Sequence, residues 1–308
     1  MIELISIFVN NIAPVLIVAG VGYVAGRKLK VESRSIAKLI FNVFSPALVF
    51  FSLYDSKIDG SEFGLLILLI AIFQIIMAAL SYFVMRFQHA SKVERASVIL
   101  SAFCLNAGNY GLSIASFAFG EAALARAVVV YVGNTILNYT LGVFVASSGS
   151  QATLGALLNI LLVPAFYATV AAFLLRGLNI ELPPVLFRSV TVLKDAAIPA
   201  MLILLGLQLS QSVRFSRLTL VSTGVLLKLL IGPVIGIGLA LVFHLNDLAA
   251  AAFVLQASMP TAVVTLILAK EYRLDETLTL NLIMASTLLS PITLSVIILL
   301  LNRAYFGG

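Results

Sequence analysis

The sequence predicts an all-α membrane protein of ten transmembrane helices, arranged as two inverted five-helix repeats with breaks in the fourth and ninth helices. Composition sets the environment: of 308 residues, 61% are hydrophobic and 10% charged, where a soluble domain carries about 25% charge. A pair of interruptions sets the architecture. The fourth apolar stretch is broken by Asn106-Ala107-Gly108-Asn109-Tyr110-Gly111 and the ninth by Met259-Pro260, and a shift of 153 residues lays 106–111 on 259–264. Backbone inside hydrocarbon leaves the helix only where it is buried in protein or lines a cavity. Breaks at corresponding places in two halves of a membrane chain point to a binding site between them.

A spanning helix needs about 20 mainly apolar residues, and the chain supplies ten such stretches, at 4–26, 35–54, 63–85, 96–119, 127–147, 154–175, 189–210, 217–243, 247–269 and 277–301. The first has no basic leader and no small-residue cleavage site, so it reads as a span and not a signal peptide. The second carries Pro46-Ala47 at its centre, and the seventh carries Pro199-Ala200 at the same place, again 153 residues on. Pro14 and Pro164 lie in the first and sixth, 150 residues apart. Membrane helices are rich in Pro and Gly in any case, so one coincidence would mean little; three pairs at nearly one offset argue for a repeat. The repeats are 1–150 and 151–308, joined at Ser147-Ser148-Gly149-Ser150-Gln151. Five spans is an odd number, so the second repeat enters the membrane from the opposite side.

Loop charge gives the orientation. Loops after odd-numbered spans, such as those with Arg27, Lys28, Arg86 and Lys270, hold 11 basic residues, against 5 on the other side. Odd loops are therefore cytoplasmic and both termini face out of the cell. The net charge of +6 belongs to these short loops and gives no reason to expect nucleic acid. Cys104 is the only cysteine, which excludes an intrachain disulfide and a thiolate metal cluster. No HExxH, phosphate-binding loop or paired catalytic carboxylates occur, so no enzyme, cofactor, metal or direct use of ATP is expected.

The breaks hold the candidate binding residues. Asn106, Gly108, Asn109 and Gly111 disfavour helix through glycine's entropy and asparagine's competition for backbone bonds. The half-helix expected to restart near Leu112 would point free N–H groups and a positive dipole end at the bilayer centre. Pro260 removes a donor and crowds the preceding turn, and a half-helix from Thr261 would do the same from the opposite side. Two positive ends meeting in a low-dielectric site attract an anion, most simply a carboxylate, with Asn106, Asn109, Gln256, Ser258 and Thr261 supplying neutral hydrogen bonds. Close helix packing would use the same Gly and Asn residues. In span five, Asn134 and Asn138 share a face with Tyr131, suited either to lining the site or to interhelical bonding. Intramembrane charge marks function by default. Lys228 lies too deep to snorkel, and its charge is expected to bias the site towards anions. Asp195 reads as either a proton carrier or one half of a local pair with Lys194. Lys38, one turn into span two, is expected to snorkel to the surface.

At these residues the sequence resembles the auxin efflux carrier family, which joins the plant auxin exporters to many bacterial transporters. Gln256-Ala257-Ser258-Met259-Pro260, Ala269-Lys270-Glu271-Tyr272 and Pro291-Ile292-Thr293-Leu294 are similar to runs in the plant carriers. Asn106, Gly111 and Leu112 resemble the first crossover, and Pro46-Ala47-Leu48 the mid-span proline of helix two. The resemblance implies ten helices, a scaffold and a transport domain moving as an elevator, broken helices four and nine crossing at an organic-anion site, and a homodimer through the scaffold. It makes Asn106 a carboxylate ligand and Pro260 the second crossover. Ser113 stands where the family usually has a proline, so the first break rests on Asn and Gly alone. The function implied is alternating-access transport, secondary active or facilitative, of small carboxylates, whether mono- or dicarboxylic or auxin-like. The alternatives are a sodium-coupled symporter of the bile-acid carrier type and a membrane sensor that binds without transport.

Overall fold

The computed structural model describes residues 2–147, 163–211 and 215–307. The expected repeat junction beyond its first residue, Ser147, the first half of the sixth stretch (154–162) and Arg214 lie outside them. The described helices are α1 (Ile2–Leu29), α2 (Ser33–Tyr54), α3 (Gly60–Met85), α4a (Lys92–Phe103), α4b (107–119), α5 (121–146), α6 (Pro164–Gly177), α7 (Pro184–Leu209), α8 (Leu218–Val242), α9a (Asp247–Ala257), α9b (Val264–Glu271) and α10 (Glu276–Tyr305). Seven uninterrupted or merged runs among them are long and apolar enough to cross a membrane. The chain is thus an all-helical membrane protein; the only strand-like feature among the described residues is one bridge between Leu105 and Thr261.

Helix starts follow side-chain chemistry. Asp59, Asn246 and Asp275 each accept a first-turn amide, opening α3, α9a and α10. Ser91 and Glu94 form a reciprocal capping box at α4a, satisfying two amides that the helix leaves without partners. Prolines shape the interiors. Pro14, Pro46 and Pro233 each follow by two residues a π-helical turn, at Phe8–Ile12, Ile40–Phe44 and Leu227–Ile231. A proline ring clashes with the carbonyl four residues back and donates nothing to it; widening the preceding turn relieves the clash and rotates the side chains on that turn. α4b passes into α5 without a loop because Gly120 takes φ 74°, ψ −171°, a conformation open essentially to glycine.

The helices form two packed groups. α7 lies along α1 and α2, and α2 along α6; separately, α9a lies along α5 and α8, α3 along α4a and α5, and α10 along α4a and α8. Apolar side chains such as Ile17, Val192, Val234 and Ile292 point outward, while Gln74, Asn134, Gln256 and Asn281 are buried. An exterior this apolar around a polar interior is what a lipid solvent requires. Within the first group α1 and α7 touch backbone to backbone: a Cβ on Gly206 would lie 1.8 Å from the Ala19 carbonyl oxygen, whereas one on Gly20 would meet nothing within 4 Å. Small residues at such contacts allow close approach. Gly206→Val is therefore expected to lower the thermal unfolding midpoint of the detergent-purified protein, overpacking costing about 1–3 kcal/mol, and Gly20→Ala to leave it unchanged or raise it. Equal midpoints for the two variants would show that α1 and α7 can part without cost.

Candidate functional site

The two breaks are paired with each other. After Phe103 the chain extends through Cys104 and Leu105, and after Ala257 it extends through Met259 to Thr261. The Asn106 amide donates to Pro260 O at 2.9 Å and the Ala262 amide to Cys104 O at 3.2 Å, a short antiparallel ladder in the middle of a helical bundle. Its position differs from the sequence expectation. Residues 107–112 are not unwound but form a wide helical turn, closed by the Gly111 amide on Asn106 O at 3.0 Å. The unwound part lies one turn earlier, at 104–106. Gly111 makes this possible: a Cβ there would lie 2.2 Å from Gln256 Oε1, so α9a presses directly on the new helix start.

A helix end leaves its last carbonyls without partners, and inside a membrane each must find another. At the end of α4a the protein supplies them. Thr261 Oγ1 donates to Ser101 O at 2.9 Å, and Lys228 Nζ donates to Ala102 O at 3.1 Å and Cys104 O at 2.9 Å. Asn134 Nδ2 donates to Leu105 O at 3.1 Å, while its Oδ1 accepts from Leu105 N at 3.3 Å and Gln74 Nε2 at 2.7 Å. Ser286 Oγ accepts the Thr261 amide at 3.1 Å. Gln256 Nε2 donates to Ala107 O and Ala127 O, each at 3.3 Å, and Ser258 Oγ to Val254 O at 2.7 Å. These groups hold the crossover together.

Beside the crossover a cavity of about 740 Å³ runs from helix ends bearing Ser33, Arg34, Gln211 and Lys270 inward to Asn106. Of the residues expected to bind substrate, Asn106, Gly108, Asn109, Asn134 and Asn138 line it; Gly111, Gln256, Ser258, Pro260 and Thr261 do not. Asn134 faces the cavity with its amide engaged in the crossover. Asn106 Nδ2 and Asn138 Oδ1, by contrast, are buried without a hydrogen-bond partner among the described residues. The amides of α4b ahead of Gly111 have no carbonyl of their own helix to bond, so the helix brings its positive end to the cavity floor. The walls are Phe41, Tyr131, Met201, Leu204, Val263 and Ile267, and Tyr131 Oη lies 2.8 Å from Ser45 Oγ on α2.

Lys228 falls differently from its sequence assignment, Lys194 and Asp195 form the local pair given as one alternative, and Lys38 is exposed but adjoins the cavity. Lys228 does not line the cavity but caps α4a. Lys194 pairs with Asp195 at 3.4 Å and Glu121 at 3.7 Å and lies 4.7 Å from the centre of the Phe51 ring, in a local cluster apart from the cavity. Lys38, assigned to snorkelling, lines the cavity with Arg34 and Lys270, and no carboxylate among the described residues lines it. Sequence reasoning also missed Phe41, Tyr139 and Gln208, whose Oε1 is buried without a partner among the described residues. A signal existed for part of this: Lys38, Phe41 and Asn42 recur at the i, i+3, i+4 spacing of one helix face. Replacing Asn134 by Leu keeps bulk but strands Leu105 N, Leu105 O and the Gln74 amide, at an expected cost of about 2–5 kcal/mol. It should appear as a lowered unfolding midpoint in detergent; a midpoint equal to wild type would remove Asn134 from the crossover.

Comparison with known proteins places these features. A family model described as membrane transport protein matches residues 7–298. An uncharacterised transporter of Methanothermobacter thermautotrophicus is 29% identical over 298 residues, covering 92% of this chain and 95% of the relative. An uncharacterised transporter of Methanocaldococcus jannaschii is 23% identical over 292 residues, covering 91% and 94%. A polar crossover buried in an apolar bundle, with a cavity ending on it, thus sits in a chain that belongs to the membrane transport protein family, the auxin efflux carriers.

Proposed function

We propose that this transporter carries small organic anions, carboxylates joined to an apolar body, and that they bind in the cavity beside the crossover. The observation carrying this reading is the cavity's polarity. Three cations lie along it, no carboxylate among the described residues lines it, and it ends on the first turn of α4b, whose leading amides have no acceptor within their own helix, and on Asn106 Nδ2, which has no hydrogen-bond partner among the described residues. A carboxylate satisfies both floor donors, and apolar walls suit the rest of a small molecule; the volume is in the usual range for such sites. The loop charges make the open side cytoplasmic and put both termini outside. We read the α1, α2, α6, α7 group as the scaffold, which would form a homodimer, and the remainder as the moving unit. Ten spans in two inverted repeats and elevator-type alternating access complete the reading. The Ser45–Tyr131 contact between the two groups would have to break in each cycle. Lys194 and Asp195 are kept as a local pair.

The test is uptake of radiolabelled carboxylates into liposomes containing the purified protein, with thermal-shift screening to choose the acids. Asn106→Ala removes the floor donor and is expected to weaken apparent affinity roughly tenfold to hundredfold, the loss of a hydrogen bond to a charged group being about 1.5–3 kcal/mol. Unchanged affinity in a folded Asn106→Ala protein would remove the residue from the site. Lys38→Met, at the solvated mouth, should raise KM by a smaller factor of about two to five, an effect that added salt screens away and that Lys38→Arg does not show. A salt-independent loss would place Lys38 in the fold instead of in the electrostatics of the cavity.

A further inference from the structure

Lys228 is 1% exposed, the one buried lysine among the described residues. No carboxylate among the described residues pairs with it; its recorded partners are two main-chain oxygens, Ala102 O at 3.1 Å and Cys104 O at 2.9 Å. Those oxygens belong to the C-terminal end of α4a and the extended backbone after it. There the helix's negative dipole end and unbonded carbonyls converge inside the membrane. Unwound carbonyls and half-helix C-terminal ends are the groups with which membrane carriers coordinate cations. Here the position is filled from within the chain. Lys228 sits on the π-helical turn Leu227–Ile231 ahead of Pro233, and that turn directs the side chain to the break.

We propose that the Lys228 ammonium is the resident cation of the crossover, occupying the carbonyl-lined position that a free alkali cation would otherwise take, so that neither the stability of the crossover nor transport depends on sodium. A tethered ammonium satisfies the same oxygens without a binding equilibrium. It does not leave with the substrate, so it supplies no coupling ion. Two neighbouring carbonyls of the break are engaged by other donors, Ser101 O by Thr261 and Leu105 O by Asn134. Lys228 is therefore a positioning residue: it acts on the substrate site only through the backbone that carries Asn106.

The experiment uses the full-length protein in detergent and then in liposomes. Thermal unfolding is followed in sodium, potassium and choline chloride at equal ionic strength, and the wild type is expected to show one midpoint in all three. Lys228→Ala deletes the ammonium and opens its space. Its midpoint should fall in choline and recover by about 2–8 °C in sodium or methylammonium chloride, ions that fit the vacated position. Lys228→Arg, which keeps the charge, should stay folded in every salt. Sodium-specific stabilisation of the wild type would overturn the assignment, as would a folded Lys228→Ala protein that neither ion stabilises over choline. If Lys228→Ala cannot be purified in choline, monodisperse protein in sodium or methylammonium supports the assignment and aggregation in every buffer overturns it. The stability arm holds whatever the substrate is. The transport arm rests on the carrier reading: wild-type uptake should be equal in sodium and choline, and uptake requiring sodium would overturn the proposal, whereas failure of every carboxylate to be transported would count against the substrate assignment alone.

Discussion

A peptide group inside hydrocarbon has no water to bond to, so a chain that abandons its helix in mid-membrane must find each freed N–H and C=O another partner. Here two chains of backbone abandon the helix side by side and become partners for one another. Cys104, Asn106, Pro260 and Ala262 exchange two main-chain bonds, and neither break could be buried without the other. The rest of the larger helix group is arranged around that ladder. α5 reaches it through Asn134, α3 through Gln74 on Asn134, α8 through Lys228 and α10 through Ser286. Pro260 fits because the ladder asks it only for a carbonyl, which Asn106 uses; its missing N–H leaves nothing unpaired.

The sequence revealed the presence of the breaks because their causes are local. Asn and Gly disfavour helix, proline cannot donate, and both effects can be seen without knowing the neighbours. The position of the first break within its stretch was less legible. Residues 107–112 stay helical because Gly111 lets Gln256 pack against the turn and Asn106 O is free to accept its amide, and both conditions come from a helix nearly 150 residues away. The candidate residues divide for the same reason. Polarity within an apolar span marks a side chain that must face protein, which holds for Asn106, Asn134, Gln256 and Thr261 alike. Whether the polar group then faces a cavity or another backbone depends on partners that spacing does not supply.

Direction was the harder quantity for the charges. Depth in a span can be counted, and by depth Lys228 was the functional lysine and Lys38 the snorkelling one. Direction depends on the phase of the helix, and at Lys228 a widened turn had altered that phase, whereas Lys38 precedes the widened turn of its helix. Lys228 lies on the π-helical turn before Pro233. One widened turn adds a residue between faces, so a side chain counted from an ideal 3.6-residue period is displaced round the axis. The two-residue spacing between turn and proline recurs at Pro14, but Pro199 and Pro291 sit in helices without a widened turn, so a proline alone does not announce the displacement. Orientation, dimerisation and coupling have no such local signature and rest on loop charge and family resemblance.

The two ends of the first break are treated unequally, and the inequality bears on the sign of the cargo. Both ends carry a helix dipole into low dielectric, negative at the end of α4a and positive at the start of α4b. At the negative end the protein supplies donors: Thr261 and Lys228 donate to carbonyls of Ser101 and Ala102, and Asn134 to Leu105 beyond. The positive end is left facing the cavity, with Asn106 Nδ2 beside it lacking a hydrogen-bond partner among the described residues. A carrier of cations would gain from the opposite arrangement, with carbonyls free and amides capped by a carboxylate or hydroxyl. Leaving buried donors without an acceptor costs about 1–3 kcal/mol each, a cost that a bound anion would recover. The same dipole would repel a cation from the cavity floor, so discrimination would come from the backbone before any lysine at the mouth contributed. This asymmetry supports the organic-anion reading independently of the cavity's cationic mouth.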